Sequence, residues 1–171
     1  MGIDPKAEEP TRDLLGHAIR GEWQDFANVA EDIGEQRLLE CLSLCLRIAG
    51  YIAIDISGRT WPTVADTREI AQRIAAADLD FDLTEDDAHA YLARAVLGFE
   101  PLADVFPDRE KLVTVPIFTT AALLVSYRRH GTDWWDYLNT IETALETAAP
   151  LSEDVEPALI LLSRRKRALG K

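Results

Sequence analysis

The chain has 171 residues, 47% of them hydrophobic, with 30 acidic against 18 basic side chains and a formal charge of -12 at pH 7. A chain of this length fits one domain and can bury roughly 70% of its unfolded surface, so neither a metal nor a disulfide framework is required to hold it. The sign of the charge opposes phosphate backbones and anionic lipid, which argues against nucleic acid and membrane partners.

Residues 1–10 contain no basic region followed by an apolar run and are expected to be a short frayed tail, with 11–171 as a single all-α domain. Thr11, following Pro10, is placed to cap a first helix through Leu14, Leu15, Ala18 and Ile19. In a second helical pattern Trp23, Phe26, Ala27, Ala30 and Ile33 recur at steps of three and four, and Gly34 ends it. The two are expected to form a hairpin over the segment that follows.

That segment, residues 35–56, is the most apolar of the chain and predicts the central helix of a bundle of about seven helices. Its polar residues Gln36, Glu40, Ser43, Arg47 and Tyr51 fall on one stripe. Glu40, Ser43 and Arg47 are therefore expected to make a polar seam in a dry core, with partners on another helix or at the seam's edge. Ile52, Ile54 and Ile56 alternate with Ala53 and Asp55 as a strand would, but no partner strand is in sight and helix is the reading. The segment is long enough to raise the question of a membrane. Glu40 and Arg47 inside it answer against one, since a central charge costs about 2.5 to 3.5 kcal/mol on insertion scales.

Residues 57–62 are rich in turn formers, and Asp66 or Thr67 is expected to cap a short helix through Ile70, Ile74 and Ala77. The run from Asp78 to Leu83 alternates acidic and apolar residues, predicting that Leu79, Phe81 and Leu83 pack inward while the carboxylates stay in water. Thr84 with Asp87 resembles a capping box at the start of a helix over 85–97, whose inner face carries Ala88, Tyr91, Leu92, Ala95 and Val96. Pro107 suits the first position of the next helix, and Pro116 predicts a kink or break near Thr114 before an apolar helix over 117–130. Thr132 is expected to cap a helix with Trp135, Leu138, Ile141, Leu145 and Ala148 inward. After Pro150 a last helix is expected, acidic at its start and basic at Arg164, Arg165, Lys166 and Arg167.

No arrangement of catalytic type is found, and no cofactor or metal site is assigned. Cys41 and Cys45 share one helical face without a Cys-x-x-Cys spacing, and read as buried small hydrophobes of a cytoplasmic protein. Asp78, Asp80, Asp82 and Asp86 match positions of a calcium loop, but Leu83 stands where glycine is needed and His89 where a bidentate glutamate is needed. Asp86 and His89 form half of a carboxylate and histidine pair with no second half. A helix-turn-helix over 68–96 would present Glu85, Asp86 and Asp87 to DNA, the wrong charge.

Two functional expectations lead, with an enzyme that uses scattered residues third. Residues 78–110 carry 10 acids against 2 bases, and this block, centred on Asp78, Asp80, Asp82, Glu85, Asp86 and Asp87, suits a non-catalytic interaction protein that meets a basic protein surface. A homo-oligomer is compatible with the same features. The alternative is a small-molecule-binding bundle whose pocket uses Tyr127, Arg128, Arg129, Trp134 and Trp135.

Overall fold

The computed structural model describes Ile3 and residues 5–77, 79–128 and 132–148. Among these residues there are seven α-helices and no strand, an all-α bundle. Helix α1 is Pro5–Arg20, α2 Trp23–Ile56, α3 Val64–Ala75, α4 Glu85–Ala90, α5 Leu102–Val105, α6 Arg109–Tyr127 and α7 Trp134–Ala148. A π-helical segment, Tyr91–Val96, continues α4 directly. Asp78, Arg129, the Ala148 side chain and the basic helix expected beyond Pro150 lie outside the described residues, while the apolar helix expected to reach residue 130 ends at Tyr127, with Arg128 already extended at ψ 147°.

Helix α1 starts six residues earlier than Thr11. Pro5 takes the first position, where a missing N–H costs nothing, and the turns that follow are docked rather than frayed. Ala7 is buried, and its carbonyl accepts from the Thr11 hydroxyl at 2.6 Å and from the Cys41 thiol of α2 at 3.7 Å. The helix ends in a Schellman-type turn in which the Glu22 N–H donates to the His17 carbonyl, with Gly21 left-handed at φ 69°. A Cβ on Gly21 would also stand 2.7 Å from an Asp80 carboxylate oxygen.

Gly34 divides α2 into 23–33 and 35–56, as the periodicity predicts. Its φ of 78° with ψ of 167° lies in a region that only glycine enters cheaply. α2 packs against α1, α6, α7 and the π segment. Residues 52–56 are helical, with Ile52, Ala53 and Ile54 buried.

The polar stripe is not an internal seam. Gln36, Leu39 and Ser43 are exposed, and the half-buried Glu40 is bonded by Arg37 one turn back on the same helix. α2 thus keeps one edge in water, because a carboxylate partnered locally need not be enclosed by a second helix.

The other starts and stops follow local chemistry. Thr63, rather than Asp66 or Thr67, caps α3 in a reciprocal box: its hydroxyl accepts from the Asp66 N–H while the Asp66 carboxylate accepts from the Thr63 N–H. Thr84 caps α4 as expected, accepting from the Asp87 N–H at 3.1 Å. Asp108 caps α6, leaving Pro107 just outside it, and Asp133 accepts from the Asp136 N–H at the start of α7.

Pro116 does not break α6. The backbone stays helical throughout, and Val115, Pro116 and Ile117 are all buried. Packing against α1, α2, α3 and α7 outweighs the cost of about 3 kcal/mol for an interior proline. By length and composition alone α6 could cross a membrane; in this fold half of it is buried against the neighbouring helices.

On α7 the buried line is Leu138, Ile141 and Leu145, with Trp134 packed against the core at the same period, whereas Trp135 points outward and is 39% exposed. Among the described residues one charged side chain sits in the interior, Glu142, 2% exposed and bonded to Arg12 of α1.

Candidate functional site

After α3 the chain turns back across the bundle, and the alternation of residues 79–83 is realised: Leu79, Phe81 and Leu83 are half-buried while Asp80 and Asp82 are exposed. Phe81 lands on Phe118 of α6, the rings stacked with centroids 4.5 Å apart. Trp23, at the start of α2, meets both edge-on, 6.1 Å from Phe81 and 5.6 Å from Phe118. Phe26 closes the group from beneath, 5.8 Å from Trp23 and 5.9 Å from Phe118.

Above these rings lies a cleft of about 560 Å³. Trp23, Phe81 and Phe118 form its apolar floor, and its rim carries Asp80, Asp82, Asp87, Asp108 and Glu110. Lys111 is the one cation among its lining residues. Part of this acidity has a local cause, since Asp87, Asp108 and Glu110 stand at the starts of α4 and α6, where carboxylates cap free N–H groups and favour the helix dipole. Asp80 and Asp82 have no such role.

The acidic block is less bare than its composition suggests. Arg68 of α3 reaches back to Glu85 at 3.3 Å and Asp86 at 3.0 Å, and Lys111 lies 3.4 Å from Asp87. Helix packing brings α3 and α6 cations to carboxylates far away in sequence. Exposed pairs of this kind contribute about 0 to 1 kcal/mol each, so they do not quench the field. Asp80, Asp82, Asp108 and Glu110 have no ion-pair partner among the described residues. Of the six acidic residues expected to form the site, Asp80, Asp82 and Asp87 line the cleft, Glu85 and Asp86 lie on the α3 side of α4, and Asp78 is not described.

Trp23, Phe118 and Lys111 were not legible as site residues. Trp23 belongs to α2 and the other two to α6, and Trp23 and Phe118 look in sequence like ordinary inner-face residues. The alternation around Phe81 is the one local signal that points to this place.

The residues expected to form an aromatic and arginine pocket are divided between two places. Tyr127 lines a cleft of about 350 Å³ with Asp66, Glu69 and Arg73, and the Arg73 guanidinium lies 4.6 Å over its ring. Trp134 meets Trp135 edge-on at 5.2 Å, and Arg12 lies 4.9 Å over Trp135. Both arginines that meet these rings come from other helices, while Arg128 is exposed beyond the end of α6.

His17, Glu22 and Asp25 bring possible metal-ligand atoms within 4.8 Å of one another. Glu22 is already engaged there, by His17 at 2.9 Å and Arg20 at 2.7 Å, and those hydrogen bonds hold its carboxyl below the usual range. His89 contacts the Thr67 hydroxyl at 3.3 Å. Cys41 and Cys45 are free and buried, and burial raises both thiols, Cys45 to about 12. No family model, curated protein or solved structure matches the chain.

Proposed function

We propose that the protein is a non-catalytic interaction module, of the inhibitor, immunity, adaptor or chaperone type, that presents its acidic face to a basic protein partner. The observation that carries this reading is the cleft between α2, residues 80–84 and α6, which gathers five carboxylates against one ammonium. Four of those carboxylates lack an ion-pair partner among the described residues. Low-dielectric walls beneath them focus the field outward, which raises the rate of encounter with a cationic surface.

The test begins with recovery of the partner by pulldown from the native source and continues with association kinetics. At physiological ionic strength the Debye length is about 8 Å, so attraction by exposed carboxylates weakens as salt is added. Added salt is expected to lower the association rate more than it raises the dissociation rate, and Asp80→Asn with Asp82→Asn to slow association while circular dichroism stays unchanged. A partner whose association rate ignores both salt and these substitutions would leave the acidic face with a solubilising role alone.

A further inference from the structure

A solvated acidic face needs no aromatic floor. Here three rings from three separate stretches converge beneath the carboxylates and stay only half-buried, while Phe26 completes the packing below them. An apolar centre surrounded by a charged rim is the anatomy of a protein-binding hot spot, where an anchor side chain is desolvated and the rim excludes water. A volume of about 560 Å³ lies within the range of clefts that enclose a ligand group, about 300 to 1,000 Å³.

We propose that this cleft is an anchor pocket for one aromatic side chain carried on a basic segment of the partner protein. The proposal rests on the acidic-face reading above and adds what that reading does not require, an apolar contact that sets residence time. The anchor ring lies on Trp23, Phe81 and Phe118. Cations on either side of it meet Asp80 and Asp82 from the connector and Asp108 and Glu110 from the start of α6. Four carboxylates carry more charge than a single ammonium balances, and a segment with several cations can match them. Lys111, held loosely to Asp87 at 3.4 Å, is displaced when a partner cation takes its place.

The experiment uses the full chain and a short acetylated lysine and alanine peptide with one central phenylalanine, compared with the same peptide carrying alanine there. Affinity is measured by calorimetry at low salt, and the tryptophan indole N–H signals are followed by NMR, Trp23 being assigned from Trp23→Phe. Burial of one phenyl ring is expected to give the phenylalanine peptide about tenfold tighter binding. It should shift the Trp23 signal and lose its advantage in Thr114→Trp, which fills the cleft from the α6 wall.

Equal, salt-sensitive binding of the two peptides would overturn the anchor pocket and leave the acidic-face reading standing. Failure of both peptides to bind would overturn both. A preference for phenylalanine that survives Thr114→Trp, or that moves Trp134 and Trp135 instead of Trp23, would place the contact elsewhere and overturn the proposal. So would concentration-dependent self-association reversed by the peptide, which would give the cleft to a second copy of the chain.

Discussion

Phe81 and Phe118 lie ring on ring, centroids 4.5 Å apart and planes 21° from parallel, and this contact fastens the acidic connector to α6. It couples fold and site, because the same pair that closes the bundle here also makes the floor of the cleft. Asp80 and Asp82 flank Phe81 in sequence, so the position of the ring sets where both carboxylates stand.

Phe81→Ala therefore tests the connector's attachment. The ring is half-buried, so its loss is expected to cost less than the 3 to 5 kcal/mol typical of a core phenylalanine, about 2 kcal/mol by urea denaturation. Helix content should be retained, since residues 79–84 are not helical. A cost below about 0.5 kcal/mol, the level of an ordinary surface change, would mean that the stacked pair does not hold the connector.

Gly34 offers a test of the break in α2. No atom lies within 4 Å of a Cβ built there, so a substitution meets strain and not a clash. Gly34→Ala is expected to destabilise by about 1 to 3 kcal/mol, because alanine is penalised at φ 78° and ψ 167°. Unchanged or increased stability would show that α2 can run straight through this position.

These two residues also show what could be read from sequence. Gly34 is a local signal, a glycine where helical periodicity lapses, and its consequence is local. The alternation of residues 79–83 is equally local and correctly separates inward from outward side chains. Helix 35–56 was legible because apolar residues cover most of its circumference, but its solvent edge was mistaken for an internal seam, since periodicity shows that polar residues share a stripe and not what the stripe faces. The break allowed for at Pro116 is absent because propensity is set locally, while the packing that overrides it comes from α1, α2, α3 and α7. The cleft was half legible: its acidic rim follows from composition, but Trp23 and Phe118 join Phe81 only through tertiary contacts that no spacing rule reveals.

The cysteines supply a probe of opening. With Cys41 and Cys45 buried and both thiols raised by desolvation, the thiolate needed for alkylation is scarce at neutral pH. Native protein at pH 8 is expected to react with iodoacetamide far more slowly than the urea-unfolded chain, with Cys45 the slower of the two. Mass spectrometry after timed quenching would show this. Labelling of Cys45 at the rate of a free thiol would mean that α2 and α6 separate readily, since the Thr120 hydroxyl of α6 contacts the Cys45 carbonyl at 3.4 Å.

Glu142 supplies the pH dependence. Burial on α7 raises its carboxyl to about 7 despite the hydrogen bond from Arg12, and the nearby Glu8 of α1 pushes in the same direction as burial. Glu146, on α7 with it, adds to the negative field at Arg12. One oxygen of Glu142 and the Nε of Arg12 are buried without a hydrogen bond, so the pair is incompletely satisfied. A carboxyl raised in the folded state remains protonated there while its unfolded counterpart, near 4.3, ionises. The unfolded chain then binds fewer protons, and stability falls with rising pH. The contribution is fully present below about 4.3 and is lost as pH climbs through about 7. Urea denaturation across this interval should show wild-type protein losing stability relative to Glu142→Gln, whose amide does not titrate, with the difference levelling off above pH 7. Parallel profiles for the two proteins would mean that the Glu142 carboxyl titrates in the folded protein as it does in the unfolded chain, burial and the attraction to Arg12 cancelling. A difference that grows in favour of the wild type as pH rises would mean that the folded carboxyl lies below its unfolded value, with attraction to Arg12 outweighing burial.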